Sequence, residues 1–278
     1  MARQINYQLE KMIDQPIKVL DKGFVCLVDY MGGDARIAEA ARVSYNSGKT
    51  IRDDERLIEY LFKNGHSSPF EQVVFLFHIK MPLFVARQWV RHRTARLNEI
   101  SSRYSVMKEE FYLPECSDFK MQDHKNKQAS CETPLSEKDA EEMQKMLSST
   151  QEAIYKDYTY FIEKKLAREM ARINLPLSLY TELYWQIDLH NLFNFLYLRL
   201  SSHAQKEIRE YASVLLSICR SACPVATAAF EEYKLNAKSI SSKEVSRLAK
   251  IIEKTSKTLE KDEMQDMKEL LAKLKTQN

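Results

Sequence analysis

The chain has 278 residues, a formal net charge of +3 and only 5 glycines. This length suffices for one large domain or two small ones around a buried core, and the mild charge suits small anionic ligands better than nucleic acid. No G-x-G-x-x-G or G-K-S/T pattern occurs. A glycine-rich phosphate loop is therefore excluded, and a nucleotide must be held by side chains and helix ends.

No apolar run reaches the length of a membrane span, and the N-terminus has no apolar signal core. We therefore expect a cytoplasmic protein with no membrane partner. The cysteines contain no C-x-x-C pair, which favours reduced thiols over a disulfide framework or a metal site. They are Cys26, Cys116, Cys131, Cys219 and Cys223.

The first third of the chain predicts alternating strands and helices. Residues 1–16 indicate a short lead-in helix, and the apolar runs on either side of Asp21-Lys-Gly23 indicate a hairpin. Two helices should follow, at 34–44 behind an Asp34 cap and at 53–64 with Gly65 at its end. The sequence Ser68-Pro-Phe-Glu71 has the form of a capping box that opens a further helix.

A buried strand is predicted at 73–80, because apolar residues alternate along it and His78 fits a structural role. It leads into a helix opened by Pro82. The buried side of this helix should carry Phe84, Val85, Trp89 and Val90.

The most informative stretch runs from Gln88 to Tyr104, where four arginines stand among hydroxyl, amide and carboxylate side chains. The helix should end near Arg93 and give way to a loop. Guanidinium groups match phosphate oxygens two at a time, which predicts an anion site. Glu99 should stay ionised and orient an arginine or accept from a ligand N–H or ribose hydroxyl. The alternative is a solvated basic helix end.

The second half of the chain is dominated by helical patterns. A polar excursion at 113–134 precedes a long helix at 136–174, whose apolar stripe indicates core or subunit interface. Arg172, at the end of this helix, needs an anionic partner. A strand at 179–187 and three further helical segments follow. These are a helix capped by Asp188 that reaches Arg199, a helix at 202–223, and an amphipathic tail that opens with a capping box at Ser241.

Arg91-His92-Arg93, followed after seven residues by Ser101, resembles the R-H-R-x7-S signature of the flavin-dependent thymidylate synthases, the ThyX family. Four further blocks are similar to that family and occur in its order. They are Gly65 to Glu71, Val85 to Trp89, Asn98 to Tyr104, and Leu198-Arg199 with Ser202 to Gln205.

The mixed order of strands and long helices predicts an α+β fold. The resemblance adds an antiparallel-type sheet and a homotetramer with active sites shared between subunits. It implies a synthase domain at 17–236, between a lead-in at 1–16 and a helical extension at 237–278. It also implies conversion of dUMP to dTMP, with methylenetetrahydrofolate as one-carbon donor and NADPH-reduced FAD as hydride source.

Carried over by position, the resemblance implies two sets of ligand contacts. The dUMP set is Gln88, Trp89, Val90, Arg91, Glu99, Ile100, Ser101, Ser102, Arg103, Arg172 and Arg199. The FAD set is Ser68, Arg91, His92, Arg93, Glu99, Asp188, Leu189, His190 and Asn194. Arg199 is expected to be catalytic, because a guanidinium at the uracil N3 edge would stabilise negative charge on the ring.

Two positions depart from the family pattern. Asp188 stands where relatives carry asparagine, and a carboxylate can only accept. Ser68 stands where they often carry threonine, which keeps the hydroxyl. An RNA-binding module would use the same arginines but needs exposed aromatic rings, whereas Trp89 and Tyr104 have contexts typical of buried residues. A flavoprotein of different chemistry is the nearer alternative.

Overall fold

A computed structural model describes residues 5–44, 51–124 and 130–255. The chain divides into two compact units, residues 1–235 and 236–278. In the described parts of the chain, no helix is both long enough and apolar enough to cross a membrane. The predicted apolar positions of the tail beyond residue 255 lie outside the described residues.

The first unit is built on a five-stranded antiparallel sheet with the strand order β1-β2-β3-β7-β4. A separate two-stranded ribbon, β5 with β6, lies within the predicted polar excursion. The predicted hairpin, the two predicted central strands and the α+β class are confirmed. The strands are β1 Ile17–Val19, β2 Gly23–Met31, β3 Val74–Pro82, β4 Arg96–Glu99, β5 Lys120–Gln122, β6 Ser130–Pro134 and β7 Tyr180–Asp188.

Helices surround this sheet, and one further helix forms the described part of the second unit. They are α1 Tyr7–Glu10, α2 Asp34–Ala41, α3 Ile51–Lys63, α4 Leu83–Trp89, α5 Glu137–Glu163, α6 Arg168–Ala171, α7 Leu189–Arg199, α8 Lys206–Ala222, α9 Pro224–Phe230 and α10 Ser242–Thr255. The predicted capping box of α10 is confirmed, since the Ser241 N–H donates to Glu244 Oε2 at 2.8 Å.

The core lies where β3 and β7 pair and present alternate side chains to the helices. Phe77 pairs with Trp185 in the register, and both side chains are almost fully buried. Trp89, from α4, packs edge-on against Trp185 and also against Phe195 of α7, with ring centroids 4.9 and 4.4 Å apart. Burying a large aromatic side chain contributes about 1.5–3 kcal/mol, so this cluster anchors the end of α4.

The arginine stretch differs from its prediction. Helix α4 ends at Trp89, and Val90, predicted to be buried, is 39% exposed. Residues predicted as loop form β4, which pairs with the edge of β7 from Arg96↔Gln186 to Glu99↔Leu183. The edge of β7 supplies hydrogen-bonding partners that local propensity does not reveal. Tyr104 is 76% exposed, so its predicted burial is also wrong.

The helix predicted at 136–174 is interrupted after Glu163. Lys165 adopts a left-handed conformation with φ of 61°, and the Leu166 N–H donates to the Phe161 carbonyl at 3.0 Å. This is a Schellman ending, which usually carries glycine. The same ending occurs at Gly65, as predicted, where φ is 70° and the His66 N–H donates to the Leu61 carbonyl.

Two predicted caps act differently in the structure. Ser68 to Glu71 opens no α-helix, because Phe70–Gln72 forms one 3-10 turn before β3. Asp34 does not cap its own helix. Its carboxylate instead accepts from the N–H groups of Val225 and Ala226, at 2.9 and 3.0 Å, and caps α9, a helix that the sequence did not predict.

Candidate active site

The residues predicted to bind ligands lie mainly around two cavities. The arginine–histidine cavity, of about 310 Å³, is lined by Arg91, His92, Arg93, Asn194 and Arg199 together with Thr94, Ile187, Asn191 and Leu198. The serine–glutamate cavity, of about 610 Å³, is lined by Glu99, Ile100, Ser101, Ser102, Arg172 and Thr181 together with Leu83, Met107, Glu169, Ile173, Leu175 and Leu179. Among the described residues, the two linings have no member in common.

The end of α4 and one face of α7 form the arginine–histidine cavity. Once α4 stops at Trp89, the chain turns and presents Arg91 and Arg93 as exposed guanidinium groups. Asn194 and Arg199 come from α7, and Arg199 occupies the last turn of that helix. A cation there is favoured by the helix dipole.

Arg199 is held by two neutral acceptors. Its Nε donates to His92 Nε2 at 3.0 Å, and its Nη2 donates to the Gln88 carbonyl at 3.0 Å. Burial, and secondly the charge of Arg199, lower the pKa of His92 to about 4. At neutral pH the imidazole is uncharged, and as an acceptor at Nε2 it carries its proton on Nδ1. The pair therefore fixes the direction of the guanidinium.

In the serine–glutamate cavity, Arg172 and Glu99 are each hydrogen-bonded to a neutral hydroxyl group of the same lining. Arg172 Nη1 donates to Ser102 Oγ at 2.7 Å, and Thr181 Oγ1 donates to Glu99 Oε1 at 2.6 Å. The hydroxyl of Ser102 is thus the partner of Arg172 here, where the sequence led us to expect an anion. Arg103 forms an ion pair with Glu169 at 3.3 Å, with both side chains more than half exposed.

Several predicted contact residues lie outside both linings. Gln88 Nε2 donates to Gln205 Oε1 at 2.6 Å. Trp89 and Leu189 are fully buried, so neither residue is accessible to a ligand in this structure. Asp188 caps α7, as predicted, by accepting from the Asn191 N–H at 2.9 Å and from its Nδ2 at 2.8 Å.

His190 lines a third cavity, of about 240 Å³, with His66, Ser67 and Phe70. Ser68 is exposed in the adjoining turn. His190 therefore lines a different cavity from Arg91, His92 and Arg93.

Sequence reasoning missed Thr181, which lines the serine–glutamate cavity, and the hydrogen bond of Gln205 with Gln88. Gln205 was in a family block but was assigned no contact. Thr181 was visible as a polar residue among the alternating apolar positions of β7. In the described parts of the chain, no group of three or more His, Cys, Asp or Glu side chains is arranged to hold a metal ion.

The fold and the two arginine-bearing cavities define an α+β protein suited to anionic ligands. Residues 26–225 match the family profile described as "Thymidylate synthase complementing protein". The chain belongs to this family, the flavin-dependent thymidylate synthases, and the resemblance seen in its motifs is confirmed.

Curated relatives named flavin-dependent thymidylate synthase are similar over most of the chain. The Treponema denticola protein is 53% identical over 260 residues, covering 93% of this chain and 98% of the relative. The Thermus thermophilus protein is 55% identical over 233 residues, covering 84% of each. Among solved structures, the UMP/dUMP methylase PolB from Streptomyces cacaoi, bound with 5-Br dUMP, has a TM-score of 0.71 and 28% identity. The likeness covers 79% of this chain and 99% of PolB.

Proposed function

We propose that this chain is a flavin-dependent thymidylate synthase that methylates dUMP to dTMP, with FAD as cofactor. The observation that carries the proposal is Arg199, a guanidinium fixed by His92 and the Gln88 carbonyl in a cavity that contains two further arginines. Family membership supplies the reaction class. A preorganised guanidinium group can stabilise negative charge that develops on a pyrimidine ring. The guanidinium itself does not need to reorganise during the reaction.

The arginine–histidine cavity has the donor chemistry that FAD requires. FAD, when bound, supplies the reducing equivalents. Arg91 and Arg93 offer exposed guanidinium donors for pyrophosphate oxygens, and Asn194 offers an amide that both donates and accepts. Asp188 already accepts two hydrogen bonds within α7, which supports a role in holding the helix more than direct contact with the cofactor.

The serine–glutamate cavity suits a nucleotide that presents both an anion and a hydroxyl. Arg172, Ser101 and Ser102 can bind the phosphate of dUMP, since guanidinium and hydroxyl groups both donate to its oxygens. Glu99 can only accept, so it is suited to a sugar hydroxyl or a ring N–H. We assign this cavity to dUMP, with Arg199 addressing the uracil ring.

Methylenetetrahydrofolate and NADPH complete the proposed reaction as co-substrates, and the cytoplasm is its proposed compartment. Residues 17–236 form the proposed synthase domain. The lead-in at 1–16 and the extension at 237–278 are assigned no chemistry.

We also propose a homotetramer in which two subunits contribute to each active site. The predicted dUMP residues line two cavities that share no described residue, and a second subunit that brings its arginine–histidine cavity to a serine–glutamate cavity would supply both linings to one ligand. Helix α5 supports such an assembly because apolar side chains on it are 40–62% exposed. These side chains are Met143, Met146, Leu147 and Tyr160.

The decisive experiment measures tritium release from dUMP labelled at ring carbon 5, together with dTMP formation. The purified protein is supplied with methylenetetrahydrofolate, FAD and NADPH. We expect both products, and neither when the folate is omitted. A yellow protein that oxidises NADPH but forms no dTMP would instead be a flavoprotein of different chemistry.

The shared site can be tested by mixing inactive variants. If Arg199 and Arg172 at one site come from different chains, co-assembly of Arg199→Ala with Arg172→Ala subunits restores roughly a quarter of the sites. As a control, Arg199→Ala mixed with Arg91→Ala should restore nothing, because these two residues line the same cavity. No recovery in the first mixture would show that each site belongs to a single chain.

A further inference from the structure

We propose that Thr181 is a positioning residue for dUMP, acting through Glu99. This inference rests on the proposed function, because it assigns the serine–glutamate cavity to the nucleotide. The side chain of Thr181 is 2% exposed, yet it reaches the cavity lining, and its Oγ1 donates to Glu99 Oε1 at 2.6 Å. A contact of this length to a carboxylate is a strong, charge-assisted hydrogen bond.

The two residues are held from several directions. Thr181 lies within β7 and pairs with Met81 of β3, and its β-branched side chain has little rotational freedom. Glu99 is the last residue of β4 and pairs with Leu183 of β7. The following Ile100 N–H donates to the Glu182 carbonyl at 2.9 Å, so the backbone at Glu99 is fixed on both sides.

Fixing one carboxylate oxygen leaves the other available for a ligand. A glutamate side chain is flexible and loses conformational freedom when a ligand orders it. The Thr181 hydroxyl removes much of that freedom before the ligand arrives, which favours binding. The neighbouring Arg172 and Ser102 suit a phosphate. The group that donates to Glu99 therefore belongs to the same nucleotide and is either its sugar hydroxyl or its ring N–H.

The test is Thr181→Val, which keeps the shape of the side chain and removes its hydroxyl, beside Thr181→Ser, which keeps the hydroxyl. Thr227→Val is a matched control. Thr227 is also fully buried, and within the described residues its hydroxyl has no hydrogen-bond partner. For each FAD-loaded protein, dUMP affinity is measured by calorimetry, the melting temperature is recorded, and KM and kcat are determined separately.

We expect Thr181→Val to weaken dUMP binding by on the order of tenfold, the size expected for one charge-assisted hydrogen bond. The effect should appear mainly in KM. Thr181→Ser should bind as the wild type does, and Thr227→Val should leave affinity and KM unchanged. If the valine variant does not fold, Thr181→Ala takes its place with the same expectation.

A double-mutant comparison separates positioning from a general loss of stability. In a Glu99→Ala protein, the additional change Thr181→Val should cause no further loss of dUMP affinity, because its effect passes through Glu99. A full additional loss overturns the inference, as does normal binding by a folded Thr181→Val protein. Wild-type protein that does not bind dUMP overturns the proposed function, and the inference with it.

Discussion

The arginine–histidine cavity and the serine–glutamate cavity handle charge in opposite ways. Among its described residues, the first has no carboxylate in its lining, and Arg199 within it is held by an uncharged imidazole and a carbonyl. The second places Glu99 and Glu169 in the same lining as Arg172. A cavity with uncompensated cations favours a strongly anionic ligand, whereas one with both signs selects a ligand that has donors as well as an anion.

The motif that resembles the family signature spans the two cavities. Arg91-His92-Arg93 lies in the first lining and Ser101 in the second, and β4 fills most of the interval. An extended strand rises about 3.3 Å per residue, so this short strand carries the chain from one cavity to the other. A single insertion in β4 would move the following side chains to the opposite face of the sheet.

The largest effect should follow from removing Arg199. We expect Arg199→Ala to retain FAD and to lower kcat by a factor of about 10²–10³, or about 2.7–4 kcal/mol, because the contact strengthens in the transition state. Steady-state dTMP formation measures the fall in kcat, and the flavin absorbance of the purified protein measures the retained FAD. Arg220→Ala is the control, since Arg220 forms an exposed ion pair with Glu231, and such pairs contribute about 0–1 kcal/mol.

Two outcomes would contradict this assignment. An Arg199→Ala protein that purifies without flavin would place Arg199 with the cofactor. An Arg199→Ala protein that turns over normally would show that Arg199 is not needed for catalysis. The contrast in charge between the two cavities would then have no role in the reaction.

The next effect should be a pH-dependent loss of stability that depends on His92. The pKa of His92 is about 4 in the folded protein, below its ordinary value of 6.5. Between these values the unfolded chain binds more protons, so the free energy of unfolding contributed by His92 falls as the pH drops through that window.

Urea unfolding of wild type and His92→Gln, between about pH 7 and 4, measures this contribution. The stability difference between the two proteins should shrink steadily as the pH falls. Parallel curves for wild type and His92→Gln would mean that His92 is not held neutral beside Arg199.

A smaller effect is expected from replacing all five cysteines by serine or alanine. No cysteine is among the described lining residues of either cavity, and burial raises the pKa of the Cys219 and Cys223 thiols. A thiolate nucleophile needs the opposite shift. We expect dTMP formation to persist, with some loss of stability at the buried positions. A folded, FAD-loaded variant with no turnover would contradict this expectation and would indicate that a cysteine takes part in the reaction.

The smallest effect should come from ending the chain near Ala237. The described linings of both cavities lie entirely within residues 1–235, so dTMP synthesis should remain largely intact. Activity and oligomeric state are measured together, by turnover assay and light scattering. A truncated protein that stays folded and tetrameric yet loses activity would place the tail in the site.

Local sequence was sufficient for features governed by short-range periodicity and capping chemistry. The alternation in β3 and β7 predicted two central strands, and the glycine at residue 65 marked the end of α3. Asp188 was recognised as the cap of α7 because its side chain accepts from an N–H only three residues away. The signature around Arg91 identified the family, because its order of residue types is specific without any structure.

Tertiary structure decided what depends on partners distant in sequence. Strand β4 forms because β7 offers it an edge, and Asp34 caps a helix that begins about 190 residues later. The turn at Lys165 lacks the glycine that usually marks such an ending. Only the folded sheet divides one continuous motif between two cavities and places the Thr181 hydroxyl on Glu99. Hydrogen bonds across strands are set by three-dimensional pairing, which leaves no period in the local sequence.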